Sequence, residues 1–230
     1  MRQAILFGLA LSCGGPAPGF AEGPEMDHSP SLSVVQIRAA QGQGRVFFGS
    51  GVVIGPNRVA TNCHVVRNAY RVTITKGSLV FPAVSQQVDT RRDLCVLHAP
   101  ELPFPAARLG PTDRLTVGQL LHFYGYPHGV GIAFAEGRVE ALHPFEGSRV
   151  IETSADFTFG GSGGGFFDEQ GRLVGLATFL TAGQTHGYAI PSEWIACMEA
   201  RASHRIEPLS GLTFWEDTEA LPAFLRPPGR

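Results

Sequence analysis

An all-β fold of two antiparallel six-stranded β-barrels, with a short C-terminal helix, is predicted by three observations. Short segments rich in Val, Ile and Phe recur along the chain. Tight-turn residues separate them, with 29 Gly and 17 Pro among 230 residues. Two stretches of this texture, similar in length, flank a proline-rich connection. Closing each stretch on itself is one way to hide strand edges.

Residues 1–21 read as a signal peptide: Arg2 is the positive start, Ala4 to Ser12 the apolar core, and Gly19-Phe20-Ala21 the small-residue cleavage site. Cleavage near Ala21 removes Cys13; the rival, lipidation of Cys13, has a poor recognition sequence in Ala10-Leu11-Ser12. A retained anchor fails on length, because spanning needs about 20 apolar residues. No later stretch is long enough, so no membrane span is expected in the mature chain, which is read as exported, to the periplasm or beyond. Residues 22–30 are a polar, flexible lead-in. The domain proper is expected at 31–204, with the first barrel about 31–99, a linker at 100–117 and the second barrel about 118–204. Strands are predicted at 32–38, 46–54, 70–75, 79–88 and 94–98, then at 119–125, 132–142, 150–153, 165–168, 172–180 and 187–190. Pro191–Ala202 has a helix-spaced stripe of Trp194, Ile195 and Met198. Residues 205–230 show no period and read as a docked or frayed tail.

The formal charge of −2, with no basic stripe, leaves no footprint for nucleic acid. The chemistry concentrates elsewhere. In Thr158-Phe159-Gly160-Gly161-Ser162-Gly163-Gly164-Gly165 one serine stands among glycines between apolar runs. Such a turn presents a hydroxyl and aims successive amides into one concavity, where they can stabilise a developing oxyanion. A serine nucleophile needs a base, and the base needs an orienting acid. His64, in Ala60-Thr61-Asn62-Cys63-His64-Val65-Val66, follows a predicted strand. Asp93, in Arg91-Arg92-Asp93-Leu94-Cys95-Val96-Leu97, opens another. Singly each is an ordinary core, cap or turn residue; the order His, Asp, Ser on a β-rich chain makes them a candidate triad.

Thr61-Asn62-Cys63-His64-Val65-Val66, Asp93-Leu94-Cys95-Val96-Leu97 and Gly160-Gly161-Ser162-Gly163-Gly164 resemble the three catalytic motifs of trypsin-like serine proteases, nearest the bacterial HtrA (Deg) branch. Gly125-Tyr126-Pro127-His128-Gly129, Glu136-Gly137-Arg138-Val139, Ile151-Glu152-Thr153 and Gly187-Tyr188-Ala189-Ile190-Pro191-Ser192 extend the resemblance from about Val34 to Trp194. It implies the chymotrypsin-like double barrel, a triad of His64, Asp93 and Ser162, and an oxyanion hole from the Gly160 and Ser162 amides. It further implies polypeptide substrates and no cofactor. The PDZ domain that usually follows the protease in that branch is not expected in the tail. Gly161 stands where digestive relatives carry the aspartate that pairs with a freed N-terminus, so activation of that kind is not expected.

The substrate-binding positions implied are Asp156, Thr178, Phe179 and Leu180. Asp156, six residues before Ser162, could receive a basic P1 side chain. Alternatively it turns away, and Phe179 and Leu180 line a small apolar pocket. After cleavage Cys63, Cys95 and Cys197 remain in an oxidising compartment. Cys63 and Cys95 are the expected disulfide, each adjoining a member of the candidate triad; three buried thiols are the alternative. His122, His128, His143 and His186 show no metal-ligand spacing, and no metal is expected. Each of the Phe47-Phe48 and Phe166-Phe167 pairs is expected to place one ring in a barrel. The leading function is an exported serine endopeptidase of open oligomeric state. The alternatives are a catalytically silent protease-fold sensor or binding module and, more distantly, an esterase.

Overall fold

The computed structural model describes residues 29–180 and 186–226, so the expected signal peptide, most of the lead-in and the last residues of the tail lie outside the described residues. The first half contains β1 (Val34–Ala40), β2 (Val46–Gly55), β3 (Arg58–Thr61), the single-turn α1 (Cys63–Val66), β4 (Arg71–Lys76), β5 (Leu79–Pro82), β6 (Ser85–Asp89) and β7 (Leu94–His98). The second contains β8 (Leu120–Gly125), β9 (Ala133–Phe145), β10 (Ser148–Thr153), β11 (Gly165–Phe167), β12 (Leu173–Leu180), β13 (Gly187–Pro191) and α2 (Glu193–Cys197), and β14 (His204–Arg205) follows. The named strand pairings are antiparallel, as short connections between successive strands require.

The second half closes as a six-stranded barrel in the order β10-β13-β12-β11-β8-β9. The first half curls as an eight-stranded sheet, β14-β6-β7-β3-β2-β1-β4-β5, whose ladder ends at β5 and β14 rather than closing into a ring. Its extra length has two sources. The segment predicted as one strand at 79–88 divides at Pro82-Ala83-Val84: Ala83 N–H bonds Val72 O on one side, Val84 N–H bonds His98 O on the other, and the chain crosses from β4 to β7. The predicted helix at 191–202 is also shorter, one turn of α2 followed by a 3₁₀ turn. Pro191 belongs to β13, and the chain beyond Ala200 leaves to pair His204 with Gln86.

Because strand side chains alternate, each strand at the seam serves two cores. Val35, Ile37, Val59, Cys95 and Leu97 fill the first half, while their neighbours Val34, Ala60, Leu94 and Val96 face the second. From the other side, Val150, Phe167, Leu173, Leu176 and Ile190 meet them, while Ile151, Phe166, Val174, Ala177 and Ala189 fill the closed barrel. The near-continuous apolar runs of these strands follow from burial on both faces. The linker is bound to both halves, through Ala107 N–H to Val53 O and a parallel bridge from Leu109 to Leu173.

The tail is docked. Leu209 N–H bonds Arg67 O, Phe214 N–H bonds Arg91 O, and the Phe214 ring is fully buried in the seam core. Arg67 donates two 2.6 Å bonds to the carboxylate of Glu216, which also accepts from the amide and hydroxyl of Thr213. The Arg67 bond, with help from Thr213 and against the opposing effect of burial, holds the Glu216 carboxyl down at about 2, from an ordinary value of 4.5. Among the described residues, no helix is long and apolar enough to cross a membrane.

Cys63 and Cys95 are joined by a disulfide across 32 positions. Cross-linking a loop of that length stabilises by roughly 3–4 kcal/mol through the unfolded chain, so Cys63→Ala/Cys95→Ala should lower the unfolding free energy by about that amount in urea titration; an unchanged midpoint would show the bond to be energetically idle. Glu216 gives a pH signature. Its folded value lies below its unfolded one, so its contribution is whole above about pH 4.5 and drains away toward pH 2. Tryptophan fluorescence should report loosening of the tail across that window, and Glu216→Gln should abolish the transition; superimposable acid curves for the two proteins would refute this.

Candidate active site

β3 ends at Thr61, the extended Asn62 turns the chain, and α1 lifts His64 over the start of β7. Asp93 closes the Thr90–Asp93 turn with φ of 55°, a left-handed conformation that aspartate tolerates better than most residues. Its side chain is fully buried. Cys63 N–H bonds Asp93 O at 3.2 Å, and the disulfide beside it ties α1 to β7. Within this clamp Asp93 Oδ1 accepts from His64 N–H at 2.9 Å, and Oδ2 lies 2.7 Å from His64 Nδ1. A carboxylate only accepts, so Nδ1 carries a proton, and in the neutral imidazole Nε2 then keeps its lone pair. The imidazole is 16% exposed, enough for that nitrogen to meet a ligand.

Ser162 lies in the loop between β10 and β11. Gly163 has φ of 82°, and a Cβ there would stand 2.1 Å from Ser50 O, so the loop can press onto β2 only with glycine at this position. Ser50 is the latch. Its N–H bonds Ser162 O at 2.8 Å, its Oγ donates to Gly160 O at 2.7 Å and accepts from Tyr126 N–H, and its carbonyl accepts from Thr61 Oγ1. Phe159 O accepts from His128 N–H at 2.7 Å. In a trans peptide the carbonyl and the following N–H point in opposite directions, so the Gly160 amide faces away from that bond. Gly160 has φ of 90°, and a Cβ there would stand 2.6 Å from His128 N. Among the described residues neither Gly160 N–H nor Ser162 N–H has a protein acceptor. Two amides thus remain available beside the serine.

The Ser162 hydroxyl donates to Thr178 O at 3.2 Å, and no hydrogen bond joins it to His64 among the described residues. Thr178 nonetheless links the two sides, because its Oγ1 accepts from Asn62 Nδ2, which also bonds Asp93 O. Thr178 itself is buried. Phe179 is sandwiched between Tyr188, centroids 4.8 Å apart, and Trp215, 5.1 Å apart, so both ring faces are already covered. Leu180 is half-buried against the closed-barrel core. Asp156 is exposed, while its neighbours Ala155 and Phe157 point inward.

Ser50, Asn62 and Trp215 were not among the residues singled out from sequence. Gly49-Ser50-Gly51, a small polar residue between glycines in an apolar strand, is a signal that could have found the first. Trp215 had none. The four histidines singled out from sequence lie on the second half, three of them against carboxylates: His122 by Glu136, His143 by Glu152, and His186 by both Glu140 and Glu152. Ligand atoms of Glu140 on β9, Glu152 on β10 and His186, just before β13, come within 4.8 Å of one another, a grouping that sequence spacing does not reveal. His186 Nδ1, 3.1 Å from Glu140 and 3.0 Å from Glu152, can donate to these carboxylates, which accounts for the grouping without an ion.

The profile of the trypsin-like peptidase domain matches residues 49–176. Over 198 residues the chain is 30% identical to the periplasmic serine endoprotease DegP of Escherichia coli, covering 79% of this chain and 42% of DegP. Over 173 residues it is 31% identical to the serine protease Rv3671c of Mycobacterium tuberculosis, covering 70% of this chain and 43% of that protein. The active form of the Rv3671c protease superposes with a TM-score of 0.70 at 26% identity, over 80% of this chain and 86% of that one. The HtrA-type protease AlgW, solved with a tripeptide, gives 0.68 at 25% identity, over 74% and 60%. The chain thus spans less than half the length of these two curated relatives. With the match to the family profile covering more than half of its residues, and with the same double-barrel fold, the chain belongs to the trypsin-like peptidase domain family.

Proposed function

We propose that the chain is an exported serine endopeptidase working through His64, Asp93 and Ser162, with the Gly160 and Ser162 amides as oxyanion hole. The observation that carries this is the buried Asp93–His64 pair at 2.7 Å, standing behind a serine loop whose two amides have no protein acceptor among the described residues. Export rests on residues 1–21 and on the relative named as periplasmic.

In the first step Ser162 Oγ leaves Thr178 O and meets His64 Nε2. As Oγ bonds the substrate carbonyl carbon its proton passes to Nε2, and the carbonyl oxygen takes the negative charge between the two amides. The imidazolium hands the proton to the departing amine as the C–N bond breaks, leaving an ester on Ser162. Water then repeats the sequence: it gives a proton to Nε2 as it bonds the ester carbon, and the imidazolium returns that proton to Ser162 Oγ as the C–O bond breaks, releasing the carboxylic acid. Asp93 accepts from Nδ1–H throughout, holding the tautomer and balancing the imidazolium charge. None of these steps calls for a cofactor.

The bond from Ser162 to Thr178 O specifically favours a second reading, a site idle at rest or a silent binding module. A fluorophosphonate probe separates the two, since labelling needs a base and an oxyanion hole assembled together. We expect labelling of Ser162, and loss of labelling and of peptide hydrolysis by at least about a thousandfold in Ser162→Ala, with circular dichroism unchanged. Hydrolysis surviving in Ser162→Ala would end the assignment. For specificity, the exposure of Asp156 supports the apolar reading over the basic one, because a carboxylate in water is screened. On a P1 panel, substrates with Val or Ala should be cut at least as fast as those with Arg; a clear preference for Arg would restore Asp156 as the P1 acid.

A further inference from the structure

We infer that Trp215, from the C-terminal segment, is a positioning residue for the Asp93–His64 pair, an inference that rests on the hydrolytic reading above. Its indole Nε1–H donates to Asp93 Oδ2 at 3.3 Å, the same oxygen that receives His64 Nδ1–H. The indole also stands at right angles to the imidazole, ring centroids 5.6 Å apart. On its other side it stacks on Phe179, which stacks in turn on Tyr188.

This placement is built rather than incidental. Phe214 before it is fully buried and tied through its amide to Arg91 O. Glu216 after it is clamped by Arg67 and Thr213. Three successive residues are therefore each fixed by a different partner, and the middle one reaches the triad. The carboxylate explains why it is needed. Asp93 is fully buried, and buried carboxylate oxygens require donors. Oδ1 is served by the His64 amide, and without Trp215 the imidazole would be the one donor to Oδ2 among the described residues. A carboxylate so held could rotate with the ring it is meant to orient. A second, immobile donor on Oδ2 fixes its plane, and the indole edge or face against the imidazole limits tilt when the ring carries its second proton. Of the charged groups around it, Arg67 pairs with Glu216 while also feeling the Asp93 charge, Arg92 pairs with Glu146 and Asp89, and Arg91 pairs with Glu146 and Asp217. The direct partners of the Asp93 side chain are thus His64 and an uncharged N–H.

Trp215→Phe keeps an aromatic ring and removes the donor. Its expected signature is a fall in kcat of about tenfold with KM for a short peptide unchanged within about twofold. The acidic limb of the kcat/KM profile should move to higher pH, because a carboxylate relieved of one donor offers more charge to the imidazole. The same exchange in a Ser162→Ala background should shift or broaden the low-field proton resonance of His64 Nδ1–H, a readout that needs no turnover. Glu216→Ala, which frees the segment without touching the ring, should move all three in the same direction. A changed resonance in a protein that hydrolyses nothing would keep the positioning role and remove the hydrolytic reading. Unchanged resonance in both variants, or a kcat that stays level or rises, would overturn the role of Trp215.

Discussion

A carboxylate removed from water must have its lone pairs satisfied, and this requirement at Asp93 organises the protein around it. Its own turn adopts a left-handed angle to aim the side chain inward. α1 exists for a single turn, long enough to bring one amide and one imidazole onto the two oxygens. The Cys63–Cys95 bond and the Cys63 amide hold that turn against β7. Loss of any one of these donors would leave a buried charge under-solvated, at a cost typically of several kcal/mol. The group that steers the imidazole is therefore also a keystone of the first half.

The second requirement is contact between two separately packed halves. Apolar residues from both supply area, yet apolar packing is non-directional and would tolerate sliding. Direction comes from Ser50, whose amide, hydroxyl and carbonyl engage Ser162, Gly160, Tyr126 and Thr61. One residue of β2 thereby sets the serine loop of the other half relative to the strand that leads to His64. Small side chains on both sides of that contact are what permit it, as the 2.1 Å approach at Gly163 makes plain.

Much of this was legible in the sequence because the relevant signals are local. Thr61 to Val66, Asp93 to Leu97 and the glycines around Ser162 each carry their pattern within a few residues, and the strands announce themselves by β-branched runs between turns. What escaped depended on distance. Trp215 sits in an aperiodic stretch, and its partner lies 122 positions earlier. The break at Pro82 was visible as a proline within an apolar run, but which strands lie on either side of it is a matter of sheet order. The Ser162 rotamer is likewise set by Thr178, whose carbonyl becomes a neighbour only once β12 is in place. For Asp156 the offset to Ser162 left two readings open, inward or turned away, because offset alone does not tell which way a loop side chain faces.

The docking of Phe214, Trp215 and Glu216 has a consequence for when the protein matures. Synthesis delivers the chain from its N-terminus, so both halves emerge before the segment that lays an indole on Asp93. Until then a buried acid lacks one donor and a face of the seam is bare. A chain still being synthesised would hold the Asp93–His64 pair loosely, and the docking of these three residues would firm it only once they have emerged.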